Sequence, residues 1–219
     1  MHAVLLDFNG TMFFDSSLHQ EAWSKIYQVL HPDDPSPAST DLFCGPRNDV
    51  ILQSIAPWLT EAERERYSQE KEALYRTACK VNPQIAHLVP GAEEFLSQLR
   101  RSNIPCLLVS ASIRENIDFF FQIFGLGRWL DRESVVFDDG TYADKREMYL
   151  EAARRLKVDI RDCLIVEDSP SSVRHAKQLE PGCIVAVGQT APAEQLLALG
   201  ADHYIRDLSE FDYAWLESK

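Results

Sequence analysis

Four short runs of Val, Ile and Leu stand out from an otherwise mixed chain: AVLLDF (3–8), IPCLLVS (104–110), DCLIVED (162–168) and CIVAVG (183–188). None has the polar alternation of a half-exposed strand, so each reads as a strand buried on both faces. The weaker VVF (135–137) and HYI (203–205) predict edge strands. Helical patterns fill the later intervals: AEEFLSQLRRS after the turn Pro90-Gly91, a stripe of Ile113, Ile117, Phe120 and Phe124, KREMYLEAARRL at 145–156, and APAEQLLALG at 191–200. Alternating strands and helices predict an α/β fold with a doubly wound, mostly parallel sheet, its ligands at the carboxyl ends of the strands. On this reading the Phe-rich stripe 117–124 is core.

The first strand breaks the rhythm, because about ninety residues separate it from the next buried run, far more than a crossover needs. That stretch predicts an inserted helical cap. LHQEAWSKIYQVL (18–30) is amphipathic, and Thr60-Glu61-Ala62-Glu63 is a capping box opening a helix towards Lys80. HPDDPSPAST (31–40) reads as a Pro-rich loop and DLFCGPRND (41–49) as a turn. The expected division is a core of residues 1–13 and 86–219 and a cap of residues 14–85.

At 219 residues the chain is long enough to bury a proper core. Its 34 acidic and 22 basic residues give a formal charge of −12, which excludes broad attraction to nucleic acid or to an anionic membrane. A phosphate ligand therefore needs a metal or a few placed cations. MHAVLLDF has no basic stretch followed by an apolar one, and no apolar run is long enough to span a bilayer, so a cytoplasmic monomer is expected. The five cysteines, Cys44, Cys79, Cys106, Cys163 and Cys183, form no CxxC pair, and three lie in strand-like runs, which points to buried thiols.

Polar groups gather at the predicted strand ends: Asp7, Asn9 and Thr11 after the first, Ser110-Ala111-Ser112 after the second, Lys145 at a helix start, and Glu167-Asp168-Ser169 after the fourth. Two acidic clusters, a hydroxyl and a lysine suit phosphoryl transfer: a carboxylate attacks phosphorus, carboxylate and carbonyl oxygens hold Mg²⁺, and the hydroxyl and ammonium neutralise phosphate oxygens. Taken singly, Lys145 beside Asp144 reads as a solvated residue and Ser112 as a helix N-cap. The pair Glu167-Asp168 resists a scaffold reading, since adjacent acids repel unless a cation joins them.

Asp7-Phe8-Asn9-Gly10-Thr11, Val109-Ser110, Lys145 and Glu167-Asp168 resemble, in order and spacing, the four motifs of the haloacid dehalogenase superfamily. The β-phosphoglucomutase-like branch, with a helical cap between the first two motifs and a Rossmann-like core, is the most similar. The resemblance implies that Asp7 is a nucleophile forming an aspartyl phosphate, that Ser110 binds the transferring phosphoryl group, and that Lys145 neutralises it. It implies Mg²⁺ held by Asp7, Asp168 and the backbone carbonyl of Asn9, with Glu167 a further ligand or a partner of one. Thr11 supports the loop and Gly10 allows its turn. Substrate contacts fall to Thr11, Ala111 and Ser112, and in the cap to His19, Arg47, Asn48 and Lys71.

Three positions depart from the family pattern. Arg146 follows the lysine where a proline is common, and in Cys44-Gly45-Pro46-Arg47-Asn48 the arginine stands one residue before the place of the phosphate-gripping arginine. Asn9 replaces the second aspartate, which protonates the leaving oxygen and then activates water, a contribution of ~10²–10⁴-fold. The expected function is a Mg²⁺-dependent phosphatase or phosphotransferase acting on a small phosphorylated metabolite, slowed by Asn9. A β-phosphoglucomutase-like isomerase and a phosphometabolite-binding protein with little turnover are the alternatives. His19 is the candidate replacement proton carrier, against a structural helix histidine facing Trp23. Lys71, within RERYSQEKEALYR, also reads as a surface ion-pairing residue.

Overall fold

A computed structural model describes residues 1–34, 36, 39, 43 and 47–217. The chain divides into two compact units, residues 1–14 with 87–219 and residues 15–86.

The larger unit is built on six parallel strands, β1 (Ala3–Leu6), β2 (Cys106–Ser110), β3 (Val136–Phe137), β4 (Cys163–Glu167), β5 (Cys183–Val187) and β6 (His203–Ile205). Their order is β3-β2-β1-β4-β5-β6, so the two weak apolar runs are indeed the edges. Leu6 of β1 sits opposite Leu108 on one side and Val166 on the other. Strand order reverses between β1 and β4, which sets the carboxyl ends of these two strands at the switch point.

Helices α1 (Ser16–Leu30), α2 (Asn48–Ile55) and α3 (Glu61–Val81) belong to the smaller unit, and α4 (Ala92–Arg101), α5 (Arg114–Phe124), α6 (Lys145–Leu156), α7 (Pro170–Lys177) and α8 (Ala193–Ala198) to the larger. Phe8 stacks on Phe120 at a centroid distance of 4.5 Å, with Phe13 and Phe124 edge-on nearby, so the Phe-rich stripe of α5 is core as expected. Leu5, Ile165, Met148, Tyr149 and Ala152 form a further part of the core where α6 packs. Helix α6 starts at Lys145 because the Asp144 carboxylate accepts the Arg146 N–H at 2.8 Å. Helix α7 was not evident from periodicity; Ser169 caps it and Pro170 occupies its first turn.

The smaller unit has its own core of Trp23, Ile26, Phe43, Ile51, Leu52 and Leu59. The capping box of α3 is formed: the Glu63 N–H donates to Thr60 Oγ1 at 3.3 Å, and the Thr60 N–H to Glu63 Oε2 at 2.8 Å. Asn48 is not in a turn, as expected for 41–49, but opens α2, whose Ile51, Leu52 and Ile55 supply buried apolar surface. Cys44, Gly45 and Pro46 lie outside the described residues. Among the described residues no helix is long and apolar enough to cross a membrane.

Candidate active site

Strand β1 ends one residue before Asp7, whose N–H donates to the Val166 carbonyl at 3.0 Å and so holds the start of the loop against β4. The next residues fold back tightly. The N–H groups of Thr11, Met12 and Phe13 converge on the Phe8 carbonyl, and Gly10 N–H donates to the Phe13 carbonyl at 2.8 Å. Gly10 has φ +78°, and a Cβ there would lie 2.1 Å from Asp168 Oδ2. Only glycine permits both that backbone angle and the approach of the β4 carboxylate. Thr11 closes the loop through its backbone; its hydroxyl is fully buried and makes no hydrogen bond among the described residues.

Lys145, from the start of α6, reaches Asp7 Oδ1 at 2.5 Å and Glu167 Oε1 at 3.0 Å. It is buried, so the solvated reading of this residue fails. Glu167 is saturated by the protein: Oε1 also accepts the Tyr149 hydroxyl at 2.6 Å, and Oε2 accepts the N–H of Asp168 at 3.0 Å and of Ser169 at 3.4 Å. Thr190, two residues beyond Gly188 at the end of β5, donates its hydroxyl to Asp168 Oδ2. Asn9 faces β2, where its Oδ1 accepts Ser112 Oγ at 2.8 Å and, more weakly, Ser110 Oγ at 3.5 Å. Ser112 therefore does not cap α5; Ile113 holds that position and makes no side-chain cap. Ala111 between the two serines is exposed.

One oxygen from each of Asp7, Glu167 and Asp168 lies within 4.8 Å of the others, and all three residues are buried. Burial, opposed by Lys145 and reinforced by Glu167, pushes the Asp7 carboxyl up to about 7. Burial, with the charges of Asp7 and Glu167, raises Asp168 well above the usual carboxylate range. Fully ionised, three buried carboxylates against one ammonium would carry two net negative charges, which a divalent cation balances. The donors are hard oxygens, as Mg²⁺ requires. The residues present thus fit the metal.

In the smaller unit, three of the residues named from the sequence, His19, Asn48 and Lys71, join one network. His19 Nδ1 lies 2.8 Å from Lys71 Nζ and its Nε2 3.2 Å from Asp15 Oδ2, with the imidazole stacked on Tyr75 at 4.0 Å. Lys71 Nζ also donates to Glu72 Oε1 at 2.8 Å, and Asn48 Nδ2 donates to the same oxygen at 2.7 Å. Lys71 is buried, which corrects the reading of it as a surface ion pair: an ammonium flanked by a carboxylate and an imidazole lone pair tolerates burial. Arg47 stays outside this network, exposed, with Asp49 Oδ1 at 3.5 Å from its Nε.

Tyr149 and Thr190 were missed from the sequence. Tyr149 follows Lys145 by one helical turn on the same face of α6, and Thr190 follows a strand that neighbours β4. Both signals exist, but they gain meaning only once the strand order is known.

A sequence model of the haloacid dehalogenase-like hydrolases matches residues 1–179. Among curated proteins, the validoxylamine A 7'-phosphate phosphatase of Streptomyces hygroscopicus subsp. limoneus is 26% identical over 94% of both chains. The bifunctional riboflavin kinase/FMN phosphatase of Arabidopsis thaliana is 32% identical over 55% of this chain, which spans about a third, 31%, of that relative's length. A family IA, variant 3 haloacid dehalogenase hydrolase from Entamoeba histolytica superposes with TM-score 0.89 at 28% identity, covering 99% of this chain and 98% of its own. CbbY from Rhodobacter sphaeroides, solved with phosphate, has the same fold, with TM-score 0.80 at 18% identity and 99% of both chains covered.

Proposed function

The chain belongs to the haloacid dehalogenase-like hydrolases, and we propose that it is a Mg²⁺-dependent phosphatase or phosphotransferase acting on a small phosphorylated metabolite through an aspartyl phosphate on Asp7. The observation that carries this reading is the buried group Asp7–Lys145–Glu167–Asp168 at the switch point of the sheet. The phosphatase relatives support it.

Lys145 engages Oδ1 of Asp7, so attack on phosphorus falls to Oδ2. Glu167, fully bonded, acts as a brace that aims the Lys145 ammonium at the nucleophile and, beyond it, at the phosphoryl oxygens. Ser110, buried at the end of β2, supplies a hydroxyl to the same group. Asp7, Asp168 and the Asn9 backbone carbonyl would hold Mg²⁺, with Glu167 orienting the site from behind. When bound, the ion supplies the positive charge that keeps both aspartates ionised and neutralises phosphate oxygens. Free thiols at Cys79, Cys106, Cys163 and Cys183 support a cytoplasmic setting.

The deciding experiment is a screen of sugar phosphates, phosphoglycolate and nucleotides for Mg²⁺-dependent phosphate release by wild type and by Asp7→Ala, with a search for a covalent adduct on Asp7. Turnover lost in Asp7→Ala supports the reading; metal-independent turnover that survives the substitution ends it. Asn9 favours a second reading, a phosphometabolite-binding protein with little turnover. That reading expects phosphate binding with Mg²⁺ but no adduct.

A further inference from the structure

A phosphoryl transfer from an ordinary alkyl phosphate gains ~10²–10⁴-fold from a positioned acid that protonates the departing alkoxide. Asn9 has no such proton to give. Its amide is also held in place, because Oδ1 accepts the Ser112 hydroxyl at 2.8 Å and lies 3.5 Å from that of Ser110. Two further donors at the site are already directed: Lys145 donates to Asp7 and Glu167, and Tyr149 donates to Glu167.

His19 is engaged by other groups of its own unit. Lys71 is an ammonium and can only donate, so the imidazole Nδ1 facing it at 2.8 Å is the acceptor, and the ring's N–H is at Nε2. That nitrogen lies 3.2 Å from Asp15 Oδ2. With one nitrogen against the Lys71 ammonium and the other against the buried Asp15 carboxylate, both nitrogens of this ring have partners in the smaller unit.

We infer that the site acts on activated phosphoryl donors, acyl phosphates or phosphoanhydrides, whose leaving group departs as a stable anion without a proton from the protein. The inference rests on the reading of Asp7 as nucleophile. In the first step Oδ2 of Asp7 forms a bond to phosphorus, and the bond to the leaving oxygen breaks, its electron pair going to the leaving group as an anion. In the second step water attacks the aspartyl phosphate, the Asp7 carboxylate leaves with the electron pair, and the proton of the water passes to solvent. The second step needs no stronger acid, because its leaving group is itself a carboxylate.

The test measures kcat/KM with Mg²⁺ for acetyl phosphate, pyrophosphate, a series of substituted phenyl phosphates and glucose 6-phosphate, in wild type and in Asn9→Asp, with intact-mass detection of the adduct. Wild type is expected to show a steep rise in log kcat/KM with leaving-group acidity. Asn9→Asp is expected to close the gap between alkyl and activated donors by ~10²–10⁴-fold. Acetyl phosphate and pyrophosphate tell the acyl from the anhydride source. Should Asn9→Asp not fold, the slope in wild type alone decides. A flat slope with an adduct present overturns this inference and leaves the aspartyl-phosphate reading standing; no adduct and no turnover with any donor overturns both.

Discussion

The Tyr149 hydroxyl donates to Oε1 of Glu167 over 2.6 Å, and the same oxygen takes the Lys145 ammonium at 3.0 Å. Burial pushes the phenol well above its ordinary range, so it stays a neutral donor. Tyr149→Phe removes one of two partners from a buried carboxylate oxygen, at a cost of about 1.5–3 kcal/mol of stability. It also loosens the brace on Lys145, so kcat is expected to fall more than KM rises. Urea unfolding with steady-state kinetics checks both; unchanged stability would mean that the hydroxyl carries nothing.

Asp168 gives the metal assignment a test with two opposite signs. Its carboxyl is raised by burial and by the charges of Asp7 and Glu167, so without metal it is a source of repulsion. Asp168→Asn retains an oxygen for the Thr190 hydroxyl and is expected to equal or exceed wild type in stability in EDTA. Mg²⁺ should stabilise wild type, by about 2.7 kcal/mol at a hundredfold excess over its Kd, and leave Asp168→Asn unchanged. Thermal unfolding against Mg²⁺ concentration reads both, and equal shifts in the two proteins would place the ion elsewhere.

The sheet was legible in the sequence because its strands are buried on both faces and so lack polar alternation. The edge strands Val136–Phe137 and His203–Ile205 were legible for the opposite reason, being short and weak. Helix α7 escaped because SPSSVRHAK has only Val173 and Ala176 as a buried face, too little for a periodic signal. The core site residues were visible as acids, hydroxyls and a lysine at strand ends. Their partners were not, since Tyr149 looks like any core aromatic and Thr190 like any loop threonine. Ser112 shows the limit of local rules: a serine before a helix reads as a cap, yet the side-chain amide oxygen of Asn9 in the first loop takes its hydroxyl instead.

Within the smaller unit, burial works to raise the Glu72 carboxyl, but Lys71 and His19, together with hydrogen bonds from Lys71 and Asn48, outweigh it and hold the group below its usual 4.5. A depressed carboxyl contributes stability above its unfolded value, and that contribution is lost as pH falls through the folded one. Wild type should therefore lose stability below pH 4.5, while Glu72→Gln follows a flatter acid limb. At neutral pH the variant leaves the buried Lys71 ammonium without its carboxylate, a cost of about 3–5 kcal/mol. Urea midpoints taken from neutral pH down to about pH 3 settle the matter; parallel curves would show that Glu72 is not coupled to folding.

Gly10 and Gly140 separate backbone strain from crowding. Both have positive φ, +78° and +82°, so alanine at either carries a left-handed backbone cost of about 1–2 kcal/mol. A Cβ at Gly140 meets nothing within 4 Å, whereas one at Gly10 falls 2.1 Å from Asp168 Oδ2 and 2.5 Å from its carboxyl carbon. Gly140→Ala should therefore lose only that modest stability and keep its full response to Mg²⁺. In Gly10→Ala the Asp168 carboxylate must move away from residue 10 and out of its place in the site, so both the Mg²⁺-induced rise in Tm and phosphoryl transfer should be lost, on top of the strain. If Gly10→Ala behaves like Gly140→Ala in both assays, the close approach of the first loop to Asp168 is not what builds the site.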